Sequence, residues 1–109
     1  METKRQNKEH LANFNIAGFT YYDGAESFME LKIGMELTLS LDEVNKYDAR
    51  AVMIHFKDYK LGYIPRQENR IFYKLLKSGL DEHITIRVQS LDASEHPEAQ
   101  VRVVCHLVG

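Results

Sequence analysis

Apolar and polar residues alternate along most of this chain, and a period of two marks half-buried β-strands. Met35, Leu37, Leu39 and Leu41 share one face of a run whose other face carries Glu36, Thr38 and Ser40. Val52, Ile54 and Phe56 repeat the pattern against Met53 and His55. Lys57-Asp58-Tyr59-Lys60 then reads as a hairpin turn into Leu61-Gly62-Tyr63-Ile64. Ile84, Ile86 and Val88 alternate with Thr85, Arg87 and Gln89, and Val101, Val103, Cys105 and Leu107 with Arg102, Val104, His106 and Val108. Phe14-Asn15-Ile16-Ala17-Gly18-Phe19 supplies a first strand, which makes about six.

Two stretches break this period. Pro65 suits the first turn of a helix, because it has no N–H to leave unpaired. Ile71, Phe72, Leu75 and Leu76 follow at helical spacing, with Gly79 as a C-terminal stop and Lys74 and Lys77 near the negative end of the dipole. Earlier, Asp23-Gly24-Ala25-Glu26 has the form of a capping box ahead of Phe28, Met29 and Leu31, with Gly34 as terminator. The sum is a mostly β chain with two short helices. A curled sheet of this size closes or nearly closes, so an OB-like or SH3-like β-barrel of about six strands is expected. Gly18 and Gly62, inside strand patterns, predict bends or close backbone approach.

Length and composition narrow the picture. With 109 residues, the chain has room for one modest core. Residues 1–13 read as a polar, disordered N-terminal tail and residues 14–109 as the barrel domain. The first ten residues lack the apolar core of a signal peptide, and no apolar run reaches the roughly 18 residues of a membrane span. The lone cysteine, Cys105, excludes an internal disulfide and suits a reducing cytoplasm. Net charge is −2, but residues 44–79 carry eight basic against three acidic residues, so a basic face is expected within an acidic total.

Catalytic and metal chemistry find little support. Cys105-His106 are strand neighbours that point to opposite faces, and His10, His55, His83 and His96 lack ligand spacing. Cys105 falls on the apolar face of its strand and reads as a core thiol. Glycine-rich phosphate loops, serine elbows and HExxH patterns are absent. No cofactor, catalytic residue or metal ligand is therefore assigned.

Binding chemistry is better represented. Tyr21, Tyr22 and Tyr47 sit at element ends beside amides and charges, and flat faces with a polar edge suit base stacking. Asn45 and Asp48 could bond a base edge or sugar hydroxyl, while Lys46, Arg50, Arg66, Arg70 and Lys74 could hold phosphates. The alternatives stand beside these: Asn45 and Asp48 as turn-capping side chains, and the tyrosines as amphipathic plugs in the core.

Three ordered blocks resemble the HIRAN domain family. Ile16-Ala17-Gly18-Phe19-Thr20-Tyr21-Tyr22-Asp23-Gly24 resembles its opening signature, and Asn45-Lys46-Tyr47-Asp48-Ala49-Arg50-Ala51-Val52 its N-P-Y-D-x-x-A-[VI]. Leu61-Gly62-Tyr63-Ile64-Pro65-Arg66 resembles its G-[YH]-[IVL]-P-[RK] block. The resemblance implies a modified OB-like barrel that grips single-stranded DNA at a free 3′ end, with a role in DNA repair or fork processing. It places Tyr21 and Tyr22 on the terminal nucleotides, Asn45, Tyr47 and Asp48 in a pocket for the terminal 3′-hydroxyl, and Arg66 on a phosphate. Lys46, Arg70 and Lys74 support that charge. Thr20 replaces a basic residue, Lys46 a proline, and a late aromatic is absent near Ala99. The expected function is a cytoplasmic, non-catalytic module for single-stranded DNA 3′ ends, with a DNA-processing protein as a further partner and no membrane. The alternative is a protein- or peptide-binding barrel; a nuclease or phosphatase built around Asp48 lacks the converging carboxylates it would need.

Overall fold

The computed structural model describes residues 7–109. Its six strands are β1 (Lys8–Asn15), β2 (Glu36–Leu41), β3 (Val52–Phe56), β4 (Tyr59–Tyr63), β5 (Ile84–Leu91) and β6 (Val101–Val108). Two short α-helices, α1 (Gly24–Ser27) and α2 (Asn69–Lys77), interrupt them. The strands form one antiparallel sheet in the order β1-β6-β5-β2-β3-β4. The residues just after β1 bring its two ends together. Ala17 pairs with Tyr63 of β4 as an isolated antiparallel bridge, each N–H donating to the other's carbonyl at 2.9 Å. The sheet is therefore compatible with the small OB-like barrel that the alternation implies.

Gly62 is what permits the bridge. A Cβ there would lie 2.3 Å from the Ala17 carbonyl oxygen, and its φ of 148° is open only to glycine at low cost. Gly18, at φ 71°, turns the chain out of the strand direction into a 3₁₀ turn at Phe19–Tyr21. Both glycines thus do what their place in the pattern predicts.

The core is the inward face of the alternation. Phe14, Ile16, Phe19, Val52, Ile54, Leu61, Ile64, Phe72, Ile86, Val88, Val101, Val103 and Cys105 are buried in one cluster. Cys105 is fully buried, and burial pushes its thiol up to about 12, so it stays protonated and packs as an apolar group.

Four local expectations are corrected. β1 begins at Lys8, so residues 8–13 are strand rather than tail; pairing with β6 satisfies the backbone groups on the inner side of this edge strand despite its mostly polar side chains. Residues 1–6, the rest of that segment, lie outside the described residues. The first strand ends at Asn15 and does not run on to Phe19. Asp23 does not cap α1 with its side chain; its carboxylate instead accepts from the Lys60 N–H at 2.9 Å. Pro65 does not open α2: it begins a turn closed by the Glu68 N–H to its carbonyl, and the helix starts at Asn69. Among the described residues, no helix is long and apolar enough to cross a membrane, and no group of three His, Cys, Asp or Glu side chains could hold a metal ion.

Candidate functional site

The chain between β2 and β3 is a polar turn built by its own side chains. Asn45 Oδ1 accepts from the backbone N–H groups of Tyr47 and Asp48 at 2.8 and 2.9 Å, the geometry that Asx residues use to fold a turn. Asp48 Oδ1 accepts from the Arg50 N–H at 3.0 Å. Its Oδ2 takes the amide of buried Asn69 at 2.9 Å and faces Arg66 Nε at 3.6 Å. Arg66 also donates to the Tyr47 carbonyl. The turn-capping reading of Asn45 and Asp48 is thus correct, and it has a consequence for Tyr47. With its backbone fixed from both sides, the Tyr47 ring stands 87% exposed and touches no core.

Opposite this turn, the 3₁₀ turn ends on Tyr21, and Tyr22 follows directly after it. Asp23 ties the segment to β4, since its N–H donates to the Lys60 carbonyl while its carboxylate takes the Lys60 N–H. Tyr22 meets Tyr63 edge to face, with ring centroids 5.7 Å apart. A groove of about 240 Å³ lies between the two walls, lined by Tyr22 and Tyr63, by Asn45, Tyr47 and Asp48, and by Arg66. Burial alone would raise the Asp48 carboxyl; the Arg50 N–H, the Asn69 amide and Arg66 outweigh it and hold the group below its ordinary value. An ionised carboxylate at the groove wall accepts bonds from hydroxyls and repels phosphates.

The structure therefore brings together five of the ten sequence-predicted residues, Tyr22, Asn45, Tyr47, Asp48 and Arg66, while exposed Arg50 reaches the site through its backbone N–H to Asp48. Tyr21 is 83% exposed beside the groove but does not line it. Lys46 is exposed on the turn. Arg70 and Lys74 lie on α2, where they line a separate pocket of about 300 Å³ with Gln67, Glu68 and Ile71. The basic segment is also less free than its composition suggests, because Lys57 pairs with Glu30 at 3.7 Å and Lys77 with Glu43 at 2.8 Å.

Sequence reasoning missed a second layer under Tyr22. Tyr63 donates its hydroxyl to Asp42, whose carboxylate also takes the Asn45 amide at 3.2 Å. Lys60 Nζ donates to the Tyr63 hydroxyl at 2.8 Å. Strict alternation would put Lys60 and Tyr63 on opposite faces of β4. A bulge at Leu61, where the β3 register steps from Ile54–Gly62 to His55–Lys60, brings them to one side.

The HIRAN domain family matches residues 10–109, nearly the whole chain. The chain belongs to the HIRAN family. A HIRAN chain therefore accounts for the three blocks, and their spatial roles are now visible: the first and second form the two groove walls, and the third supplies Gly62, Tyr63 and Arg66 between them. In fold, this HIRAN domain is similar to the crystal structure of a protein from Lactobacillus plantarum, with a TM-score of 0.78. The two are 23% identical, and the match covers 95% of this chain and 98% of that one. No curated protein matches the sequence.

Proposed function

We propose that this HIRAN domain is a non-catalytic DNA-binding module that takes the 3′-hydroxyl end of a single strand into the groove between Tyr22 and Tyr47. The observation that carries this reading is the pairing of an ionised Asp48 with a fully presented Tyr47 ring across from Tyr22. Tyr47 and Tyr22 wall in the terminal base, each stacked base contributing on the order of 1–3 kcal/mol. Asp48 accepts from the terminal hydroxyl and disfavours a terminal phosphate or an uninterrupted strand. Arg66 keeps the Asp48 side chain and the Tyr47 backbone in place. Arg70 and Lys74 on α2 add screened attraction for the more distant backbone, and exposed Lys46 and Tyr21 extend the rim. Such a module acts in the cytoplasm beside a DNA-processing partner that needs a free 3′ end found or held.

Fluorescence anisotropy with a short labelled strand tests this. Ends carrying a 3′-hydroxyl, a 3′-phosphate or a blunt duplex are compared for wild type and Tyr47→Ala. Tyr47 is the cleaner probe than Asp48, because removing Asp48 also unties Asn69 and Arg66. Binding confined to the 3′-hydroxyl strand and weakened in the variant is expected. Equal binding of the hydroxyl and phosphate ends contradicts the role of Asp48. No binding to any strand at low salt leaves a protein or peptide ligand as the better reading.

A further inference from the structure

The cation that meets DNA at this groove is expected from the sequence to be Arg66. The structure gives Arg66 other work. Its guanidinium donates to the Tyr47 carbonyl and faces Asp48 at 3.6 Å, which ties one edge of it to the site although 70% of the side chain is exposed. Lys60 is in the opposite situation. Its Nζ lies 4.1 Å from the centroid of the Tyr22 ring and 4.5 Å from that of Tyr63. Among the described residues, it makes no ion pair and gives one side-chain hydrogen bond, to the neutral Tyr63 hydroxyl. The nearest carboxylate in that chain of contacts is Asp42, one hydroxyl further on. An ammonium has three donors, so two remain for a ligand.

Position matters as much as charge. Lys60 does not line the groove; it sits on the two rings that do. A base held between Tyr22 and Tyr47 leaves its phosphate outside the walls, at their rim. The bulge at Leu61 is what brings Lys60 to the side of β4 that carries the Tyr22 and Tyr63 rings. Its contact with both rings also restrains the Tyr22 ring, since cation–π attraction holds an ammonium over a ring face.

We infer that Lys60 is the phosphate-binding and ring-positioning residue of the groove, and that Arg66 is a structural clasp. The inference rests on the DNA-end reading above and divides the two basic roles differently from the sequence pattern. The test measures the dissociation constant of a 3′-hydroxyl strand against salt for wild type, Lys60→Met, Lys60→Arg and Arg66→Met, with thermal melting to confirm folding. Lys60→Met is expected to weaken binding about tenfold and to lower the salt slope by roughly 0.7, the release expected for one phosphate on a single strand. Lys60→Arg restores most of both. Arg66→Met weakens binding with an unchanged slope. With an uncharged methylphosphonate at the last linkage, the gap between wild type and Lys60→Met should shrink to the part owed to ring positioning and the difference in salt slope should vanish. If wild type binds the 3′-hydroxyl strand while Lys60→Met keeps its affinity and slope, this inference is overturned and the DNA-end reading stands. If wild type binds no strand, both fall.

Discussion

The groove and the exposed face of α2 both carry basic residues from the same stretch of sequence, yet they are built differently. In the groove, nearly every polar side chain is held. Asn45 folds the turn, Asp48 is bonded by Asn69 and Arg50, and Arg66 clasps Tyr47. On α2, Arg70 and Lys74 are exposed, and among the described residues they make no ion pair. One region has aromatic walls around a bonded carboxylate; the other has exposed cations and no aromatic ring in its lining. The difference teaches that residues close in sequence and alike in charge need not share a role. Preorganisation gives a site its selectivity, whereas loose cations supply only screened attraction.

The largest expected effect removes the frame that both regions share. Gly62→Ala places a Cβ 2.3 Å from the Ala17 carbonyl oxygen at a φ that disfavours it. It should cost on the order of 3 kcal/mol, read as a lower denaturation midpoint, and open the groove before it disturbs α2. Unchanged stability would show that the Ala17–Tyr63 bridge does not close the barrel.

Next comes the wall itself. Tyr47→Ala should weaken strand binding by roughly 5- to 150-fold while stability moves by less than about 0.5 kcal/mol, because the ring touches no core. The double variant Arg70→Ala with Lys74→Ala should lower affinity only about threefold, with most of the change visible as a shallower salt dependence. A loss from the helix variants as large as from Tyr47→Ala would show that the two regions do not differ in role.

The smallest effect concerns pH. The Tyr63 hydroxyl chiefly, with Asn45 and Lys60, holds the Asp42 carboxyl below its ordinary value, and Asp48 is likewise depressed. Folded pKa values lower than the unfolded ones mean that these groups add stability at neutral pH. That contribution is fully present above the ordinary carboxylate range and is lost as pH falls through the folded values. Melting temperature should therefore drop on acidification below about pH 4. Asp42→Asn should lower the melting temperature at neutral pH and flatten that drop.

Much of this architecture was legible in the sequence. Alternation located the strands, since each needs one apolar face, and Gly18 and Gly62 announced their turns through backbone demands that few other residues meet. The three blocks identified the family, and Tyr22, Asn45, Tyr47, Asp48 and Arg66 did converge. What escaped was set by register and long-range pairing. The bulge at Leu61 hid the partnership of Lys60 with Tyr63, and no local pattern could tell that Asp23 would bond to β4 instead of capping α1. Lys8–Asn13 looked like a tail because an edge strand paired through its backbone needs few apolar side chains.

The most direct test of the central claim is a backbone amide chemical-shift map of the ¹⁵N-labelled protein titrated with a short 3′-hydroxyl strand. Saturable shifts are expected at Tyr22, at Asn45–Arg50 and at Tyr63–Arg66, with the α2 amides moving little and a 3′-phosphate strand leaving the groove signals in place. Shifts centred on Arg70 and Lys74, or identical shifts with both ends, would contradict it.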